Sequence, residues 1–136
     1  MSFALDPRLA ADTATIGDLP LSRALLMNDA RFAWVILAPR RAGLVEIVDL
    51  DEPKRARLME EIAQAADVLR ALPEVEKINF GALGNIVSQL HVHVVGRRAA
   101  DAAWPGPVWG SGMATRYEAP ALRARLAALR GAFGLS

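Results

Sequence analysis

The chain has 136 residues, 53% of them hydrophobic and 23% charged, with no cysteine and a formal net charge of +1. This composition excludes disulfides and thiolate metal sites, gives no reason to expect a nucleic acid or an anionic membrane as partner, and predicts one globular domain with its own core. Residues 1–7 lack the basic and long apolar regions of a signal peptide, and no apolar run approaches the ~20 residues of a membrane span, so we expect a soluble cytoplasmic protein.

The first part of the chain predicts an arm and two strands. Residues 1–20 carry several turn formers and one brief helical pattern near Leu9–Ala14, so we predict an arm lying on the domain. A first strand is predicted over Leu21–Met27. The nearly continuous β-branched and aromatic run Phe32–Ala38 predicts a central, buried strand. Leu44–Val48 is predicted as a short strand or an extended link.

The second part predicts two helices and a further strand. Asp51 is a candidate N-cap for a helix with an apolar stripe that ends near Leu72, before a proline. Lys77–Leu83 predicts a strand. Residues 104–110 are too rich in proline and glycine to be regular, and a second amphipathic stripe over Leu122–Phe133 predicts a C-terminal helix.

Both histidines of the chain lie two residues apart in the segment Gln89–Val94. Polar and apolar residues alternate there, which predicts a half-buried strand. Because successive strand side chains point to opposite faces, we expect Gln89, His91 and His93 to share one face.

The predicted order strand, strand, helix, strand, strand indicates an α+β fold. Too few residues separate the last two strands for a crossover helix, so we expect them to pair antiparallel, with helices covering one face and the histidine face partly open. We predict a single domain over residues 1–136, with the arm at about 1–20, a core at about 21–100, and a loop and helix at about 101–136.

Residue chemistry alone leaves three interpretations of the histidine pair open. The two rings can be inert, hydrogen-bonded side chains on a partly wet face. They can be metal ligands, although a stable site needs a third or fourth ligand and the chain has no further His and no Cys. Finally, one imidazole can attack phosphorus while the other manages charge or the leaving group.

The segment Asn79–Arg97 resembles the signature of the histidine triad (HIT) family. That family has the pattern His-φ-His-φ-His-φ-φ, where φ is apolar, preceded by an Asn on the previous strand and by a Gly-Gln-Ser/Thr-Val segment. Leu25–Asp29 and Val35–Arg40 are similar to the family's ribose-binding strand end and its apolar-Pro-Lys/Arg strand. Residues 104–110 resemble those of a bacterial subgroup, here with Gln-x-His-x-His in place of three histidines.

The resemblance implies a HIT-like antiparallel sheet of about five strands with helices packed on one face. It implies a nucleotide hydrolase or transferase that cleaves the α-phosphate linkage of a nucleotide conjugate, a dinucleoside polyphosphate or a nucleoside phosphoramidate, through a nucleotidyl-histidine intermediate. It also implies a homodimer whose sheets join across a two-fold axis, with no required cofactor and no metal in the site.

By position, His91 falls on the family's nucleophilic histidine, and His93 falls on the last histidine, which contacts the phosphate and the leaving group. Gln89 stands on the first histidine. Its amide cannot titrate, so a proton relay there is excluded while orientation by a hydrogen bond is not. Asn85 stands on the usual Gln. Ile86 stands where Ser or Thr donates near the leaving group, so that contact is lost.

The remaining candidates are expected to bind the nucleotide. Asn79 matches an Asn near the phosphate, although it can also simply make a hydrogen bond at the end of its strand. Asn28 or Asp29 falls where the ribose hydroxyls are held, although the pair can also end its strand in an Asx-turn. Trp104 and Trp109 either cap a base pocket, in this subunit or a neighbouring one, or are simply large buried surface.

Two other functions stay open beside nucleotidyl transfer. The departures at Gln89 and Ile86 are compatible with a nucleotide-binding module that has little catalysis and forms no adduct. A metal-dependent hydrolase that uses His91 and His93 as ligands predicts stoichiometric metal and loss of activity in chelator.

Overall fold

The computed structural model describes residues 2–135 and contains one five-stranded sheet and three α-helices. The strands are β1 (Thr13–Asp18), β2 (Ser22–Met27), β3 (Ala33–Pro39), β4 (Lys77–Gly81) and β5 (Val92–Arg97), in the spatial order β1-β2-β3-β5-β4. The helices are α1 (Pro7–Asp12), α2 (Glu52–Arg70) and α3 (Ala119–Ala132). All neighbouring strands are antiparallel, so the predicted α+β fold is confirmed.

Alternation along the central strands gives the sheet two different faces. On β5, Val92 and Val94 are at most 1% exposed and belong to the core under α2 and α3, whereas His93 and Val95 point to the opposite side. The short helix α1 lies on that opposite side and contributes Leu9 to its apolar cluster. The two long helices therefore share one face, as predicted, and the histidine face is only partly covered.

Helix α2 begins as the sequence predicts. The Asp51 Oδ1 accepts the Lys54 N–H at 3.0 Å, and Pro53 lies in the first turn, where a missing N–H leaves no hydrogen bond unmade. The helix ends at Arg70, close to the predicted end at Leu72. Its buried apolar stripe consists of Leu58, Ile62, Ala65, Val68 and Leu69. None of the helices within residues 2–135 is long and apolar enough to cross a membrane.

The predicted arm over residues 1–20 contains regular structure. Helix α1 is the brief helix expected near Leu9–Ala14, and the Asp6 carboxylate caps it by accepting the Arg8 N–H at 2.8 Å. After it comes β1, which the sequence analysis did not predict. This edge strand pairs with β2 and buries Ile16, so the end of the arm is part of the sheet.

Leu44–Val48 is not a strand, although one was among the two predictions for it. A short 3₁₀ turn forms at Ile47–Asp49, and the Asp49 carboxylate accepts the N–H groups of Val45 and Glu46 at 3.1 and 2.8 Å. A local carboxylate thus takes the backbone donors that a strand ladder would use.

The histidine strand begins later than predicted. Gln89–His91 precede β5, which starts at Val92, and β4 has already ended at Gly81, opposite His93. The Leu90 N–H instead bonds to the Leu44 carbonyl at 3.0 Å. His91 consequently lies just outside the ladder, while His93 lies within it.

Candidate active site

A cavity of about 510 Å³ opens on the histidine face of the sheet. Its walls come from α1, the end of β2, the loop that precedes His91 and the loop that follows β5. The predicted site residues that line it are Asn28, Asp29, Asn85, His91 and His93. The fold thus brings the predicted residues at the end of β2, in the loop before β5 and around the start of β5 together at one cavity.

His91 is held by a backbone carbonyl. Its Nδ1 lies 2.7 Å from the carbonyl oxygen of Gln89, and the side chain is buried, with 6% exposed. Because a carbonyl can only accept, Nδ1 carries the proton in this bond. In the neutral ring, Nε2 is then the nitrogen with the free lone pair.

His93 is held in the opposite way. The Trp34 indole N–H donates to the His93 Nδ1 at 3.0 Å, and both residues are buried. Because an indole nitrogen can only donate, Nδ1 is the bare nitrogen and Nε2 carries the proton. Burial, together with the charge of nearby His91, lowers the pKa of His93 to about 4, so His93 is neutral at neutral pH.

Aromatic rings fix the position of His93 from several sides. The His91 and His93 ring centroids are 4.9 Å apart, and Trp34 and Trp109 lie 5.6 and 5.5 Å from His93. Trp109 also lines the cavity, whereas Trp104 is 40% exposed and lies over the Arg97 guanidinium. The two tryptophans therefore differ in position, and Trp109 is the one beside the histidines.

Asn28 and Asp29 connect the cavity to the segment before α3. The Asn28 Oδ1 accepts the Tyr117 N–H at 2.9 Å, and the Asp29 carboxylate forms a two-pronged bond with Arg31, at 3.0 and 2.8 Å. Burial raises the pKa of Asp29, but the bonds from Arg31 and from the Thr115 N–H outweigh that effect and leave the pKa below its ordinary value. Asp29 is therefore an ionised acceptor in the cavity wall.

Comparison with known proteins assigns the chain to a family. A sequence model of the HIT domain matches residues 8–100. The chain belongs to the HIT family. No curated protein matches it significantly.

Several crystal structures of histidine triad proteins are similar to this HIT domain over nearly its whole length. One from Bradyrhizobium japonicum is 45% identical, with a TM-score of 0.94, and covers 98% of this chain and 99% of its own. One from Sinorhizobium meliloti is 46% identical, with a TM-score of 0.92, and the match covers 95% of this chain and 96% of that protein. One from Marinobacter aquaeolei is 40% identical, with a TM-score of 0.95 and coverages of 98% for both chains.

Two predicted residues of this HIT domain lie outside the cavity lining. The Asn79 Oδ1 accepts from the Arg97 guanidinium at 2.8 Å. The Gln89 side chain faces the N-terminal segment, where it accepts the Asp6 N–H and donates to the Ala4 carbonyl, both at 2.8 Å. Gln89 reaches His91 through its backbone carbonyl and not through its amide.

Sequence reasoning missed Trp34 as a site residue. It was assigned to a buried strand, which is correct, but its partner His93 lies on another strand. The usable signal was an indole N–H in a buried strand, since a buried tryptophan generally needs an acceptor.

Within residues 2–135 no three His, Cys, Asp or Glu side chains are grouped closely enough to hold a metal ion.

Proposed function

We propose that this HIT domain is a nucleotide hydrolase or transferase that cleaves the α-phosphate linkage of a nucleotide conjugate through a nucleotidyl-His91 intermediate. The observation that carries the proposal is the bond from the His91 Nδ1–H to the Gln89 carbonyl, because it leaves Nε2 unprotonated in a ring that lines the cavity. Neutral imidazole with a free lone pair is the nucleophile that such chemistry needs.

In the first step, the His91 Nε2 attacks the α-phosphorus and the bond to the leaving group breaks. The Nδ1 proton stays on the ring, where the Gln89 carbonyl compensates the positive charge that develops. The His93 Nε2–H donates to the phosphate region, which stabilises negative charge as it accumulates. In the second step, water or another acceptor attacks the phosphorus, the N–P bond breaks and its electron pair returns to Nε2, while the proton of the attacking group passes to solvent.

The nucleoside is proposed to lie against Asn28 and Asp29. The Asp29 Oδ2 accepts from Arg31, and since a carboxylate oxygen has two lone pairs, it can also accept from a ribose hydroxyl. Asn85 also lines the cavity and is proposed to bind the phosphate. Asn79 and Gln89 contribute from outside the cavity, the first by bonding Arg97 and the second through the carbonyl that holds His91.

We infer that neither metal nor cofactor is needed. The Nδ1 atoms of His91 and His93 are both hydrogen-bonded within the protein. His93 keeps its proton on Nε2, and a metal ion could bind that nitrogen only if it were unprotonated. Stoichiometric metal in the purified protein, together with loss of turnover in chelator, would contradict this inference.

We also infer a homodimer joined along β4. This strand forms one edge of the sheet and exposes Phe80 to 55%, so its free ladder groups and an aromatic side chain are available to a second copy. Sedimentation analysis should give twice the mass of the chain, and Phe80→Glu should give a monomer.

A nucleotide-binding module with little catalysis is the second candidate. It is favoured by Ile86, which lines the cavity with 83% exposed and has no group to donate to a leaving oxygen. Such a protein would bind nucleotide in the same cavity and form no adduct.

Trapping the intermediate tests the proposal and separates the candidates. The protein is mixed with diadenosine triphosphate, quenched in alkali, in which phosphohistidine survives, and analysed by peptide mass spectrometry. We expect an adenylyl group on the peptide that contains His91 and none in His91→Ala. Turnover with no adduct at any time would refute the nucleophile, and tight binding with neither adduct nor turnover would establish the binding module.

A further inference from the structure

Resting on the nucleotidyl transfer proposed above, we propose that the Trp34 indole holds His93 as a hydrogen-bond donor that releases no proton. The enzyme therefore accepts leaving groups that depart as phosphate anions and discriminates against those that depart as amines. Trp34 is a positioning residue in this scheme, since it acts on the substrate only through His93.

Strand register places the two rings together. Ile36 of β3 pairs with His93 of β5, so Trp34, two residues before Ile36, lies diagonally beside His93 on the same face. The distance of 3.0 Å from the Trp34 Nε1 to the His93 Nδ1 is that of a good hydrogen bond. Both residues are buried, with 6% of Trp34 and 7% of His93 exposed. Trp109 packs edge-on against His93 from another side and restricts rotation of the ring.

This bond decides what His93 can do with protons. A cationic His93 would need a proton on Nδ1, directly facing the indole N–H, so two donors would meet and the bond would be lost. The neutral ring has a proton on Nε2, but releasing it would leave an imidazolate, which is far too basic to form at neutral pH. The low pKa of His93, caused first by burial and then by His91, agrees with this geometry.

The other charged and titratable groups that line the cavity do not supply a proton either. Asp29 is ionised and paired with Arg31, and Asp12 is paired with Arg116 at 3.7 Å. Arginine keeps its protons at any physiological pH. The proton of the nucleophilic His91 lies on Nδ1, which donates it to the Gln89 carbonyl. Among the cavity-lining residues of the described chain, none is therefore placed to act as a general acid at neutral pH.

The balance of the bond-breaking step then selects the substrate class. When a phosphoanhydride is cleaved, the electron pair of the breaking P–O bond moves to a phosphate oxygen, and the leaving group departs as a stable anion without a proton. When a phosphoramidate is cleaved, the pair of the P–N bond moves to nitrogen, which must be protonated to leave as an amine. A site without a general acid supports the first reaction and not the second.

A matched substrate pair tests the selection. Both carry the same adenosine 5′-phosphoryl group, joined in one to a phosphate oxygen, as in diadenosine triphosphate, and in the other to an alkylamine nitrogen. At pH 7.5 we expect kcat/KM to be about 100-fold higher for the anhydride, and a ratio below tenfold overturns the inference. The absence of adduct and turnover with both substrates would instead refute the proposed function, so the two failures are distinguishable.

Nitrogen-15 NMR of the histidine rings tests the role of Trp34 without relying on activity. In the wild-type protein we expect His93 to show a single tautomer, with the proton on Nε2, and to stay neutral down to pH 5. Wild-type protein with the proton on Nδ1 of His93 overturns the inference.

Variants then separate positioning from packing. Trp34→Phe keeps an aromatic ring but removes the N–H, so the second tautomer should appear, the protonation midpoint of His93 should rise by at least one pH unit, and phosphoramidate turnover at pH 6 should rise at least tenfold relative to the anhydride. Trp34→His, which can again donate, should restore the single tautomer. Trp104→Phe is the control and should leave His93 unchanged. An unchanged tautomer and midpoint in Trp34→Phe would refute the assignment.

Discussion

The two faces of the sheet are built from alternate residues of the same strands, yet they differ in kind. On the helix face, Leu58 of α2 packs in one aliphatic cluster with Val92 and Val94 of β5, and all three are at most 2% exposed. On the opposite face, Trp34 and His93 stand beside a cavity of about 510 Å³. One face is closed and largely apolar, and the other keeps polar nitrogens at the edge of an open space.

This difference shows how β5 separates stability from chemistry. Neighbouring residues point to opposite faces, so a substitution affects one property or the other according to its parity in the strand. A second contrast lies within the histidine face. A carbonyl gives His91 a free lone pair, and an indole gives His93 a fixed N–H, so two identical side chains acquire different chemistry from single hydrogen bonds.

His91→Ala should break the histidine face alone. Without the nucleophile we expect turnover of nucleotide conjugates to fall at least ~10³-fold, because removing one group of a covalent mechanism removes the whole pathway. The midpoint of thermal unfolding, followed by circular dichroism, should change by no more than about 2 °C. More than a tenth of the wild-type turnover in this variant would contradict the separation of the two faces.

Leu58→Ala should break the helix face alone. The side chain is 2% exposed, so its truncation leaves a cavity between α2 and the sheet and should lower the free energy of unfolding by about 3 kcal/mol in urea titrations. Met59→Ala is a matched control on the next residue, which is 53% exposed, and should change stability by less than about 0.5 kcal/mol. The kcat of the folded Leu58→Ala protein should stay within about twofold of wild type; a larger loss would mean that the faces are coupled.

Much of the fold could be predicted because the signals are local. Asp51 and the stripe at helical spacing locate α2, and alternation before Val94 locates the histidine face, since both depend only on neighbours in sequence. β1 was missed because turn formers dominate residues 1–20. Its pairing with β2 depends on a tertiary edge that the sequence does not display.

The parts of the site that could not be predicted are contacts between distant residues. The bond between Trp34 and His93 requires the register of β3 against β5, and the partners of the Gln89 amide lie more than 80 residues away. Asn79 was assigned to the phosphate by resemblance, whereas its amide oxygen bonds Arg97, which is itself ion-paired with Asp101 at 2.7 Å. Residue type at a given position indicates a candidate, but register determines which partner it meets.

Lowering the pH should destabilise the protein through His93, whereas the aliphatic side chains of the helix face have no group that titrates. The pKa of His93 is lowered from 6.5 to about 4, so between these values the unfolded chain binds a proton that the folded protein does not. Stability is therefore complete above pH 6.5 and falls as the pH is lowered towards 4, by roughly 3 kcal/mol in total. Urea unfolding at several pH values measures this slope.

His93→Gln is the matched control for the acid effect. Glutamine has no proton to gain, and its amide oxygen can still accept the Trp34 N–H, so the slope between pH 6.5 and 4 should disappear. The Asp29 carboxylate in the cavity wall loses its charge below this window, because hydrogen bonds from Arg31 and the Thr115 N–H outweigh its burial and hold its pKa below the ordinary value. Equal slopes in the two proteins would show that His93 is not the group responsible.

Gln89→Ala should have the smallest effect of these substitutions. It tests whether the Gln89 side chain has a structural or a catalytic role. The amide makes two bonds to the backbone of the N-terminal segment, so its loss should cost about 1 kcal/mol in urea unfolding. The carbonyl that orients His91 belongs to the backbone and survives the substitution, so the rate of adduct formation should fall by less than tenfold. Ser88→Ala, on the exposed neighbour, is the control. A purely structural pair of hydrogen bonds, when lost, lowers the free energy of unfolding. If Gln89→Ala instead slowed adduct formation more than 100-fold at unchanged stability, the amide itself would take part in the chemistry.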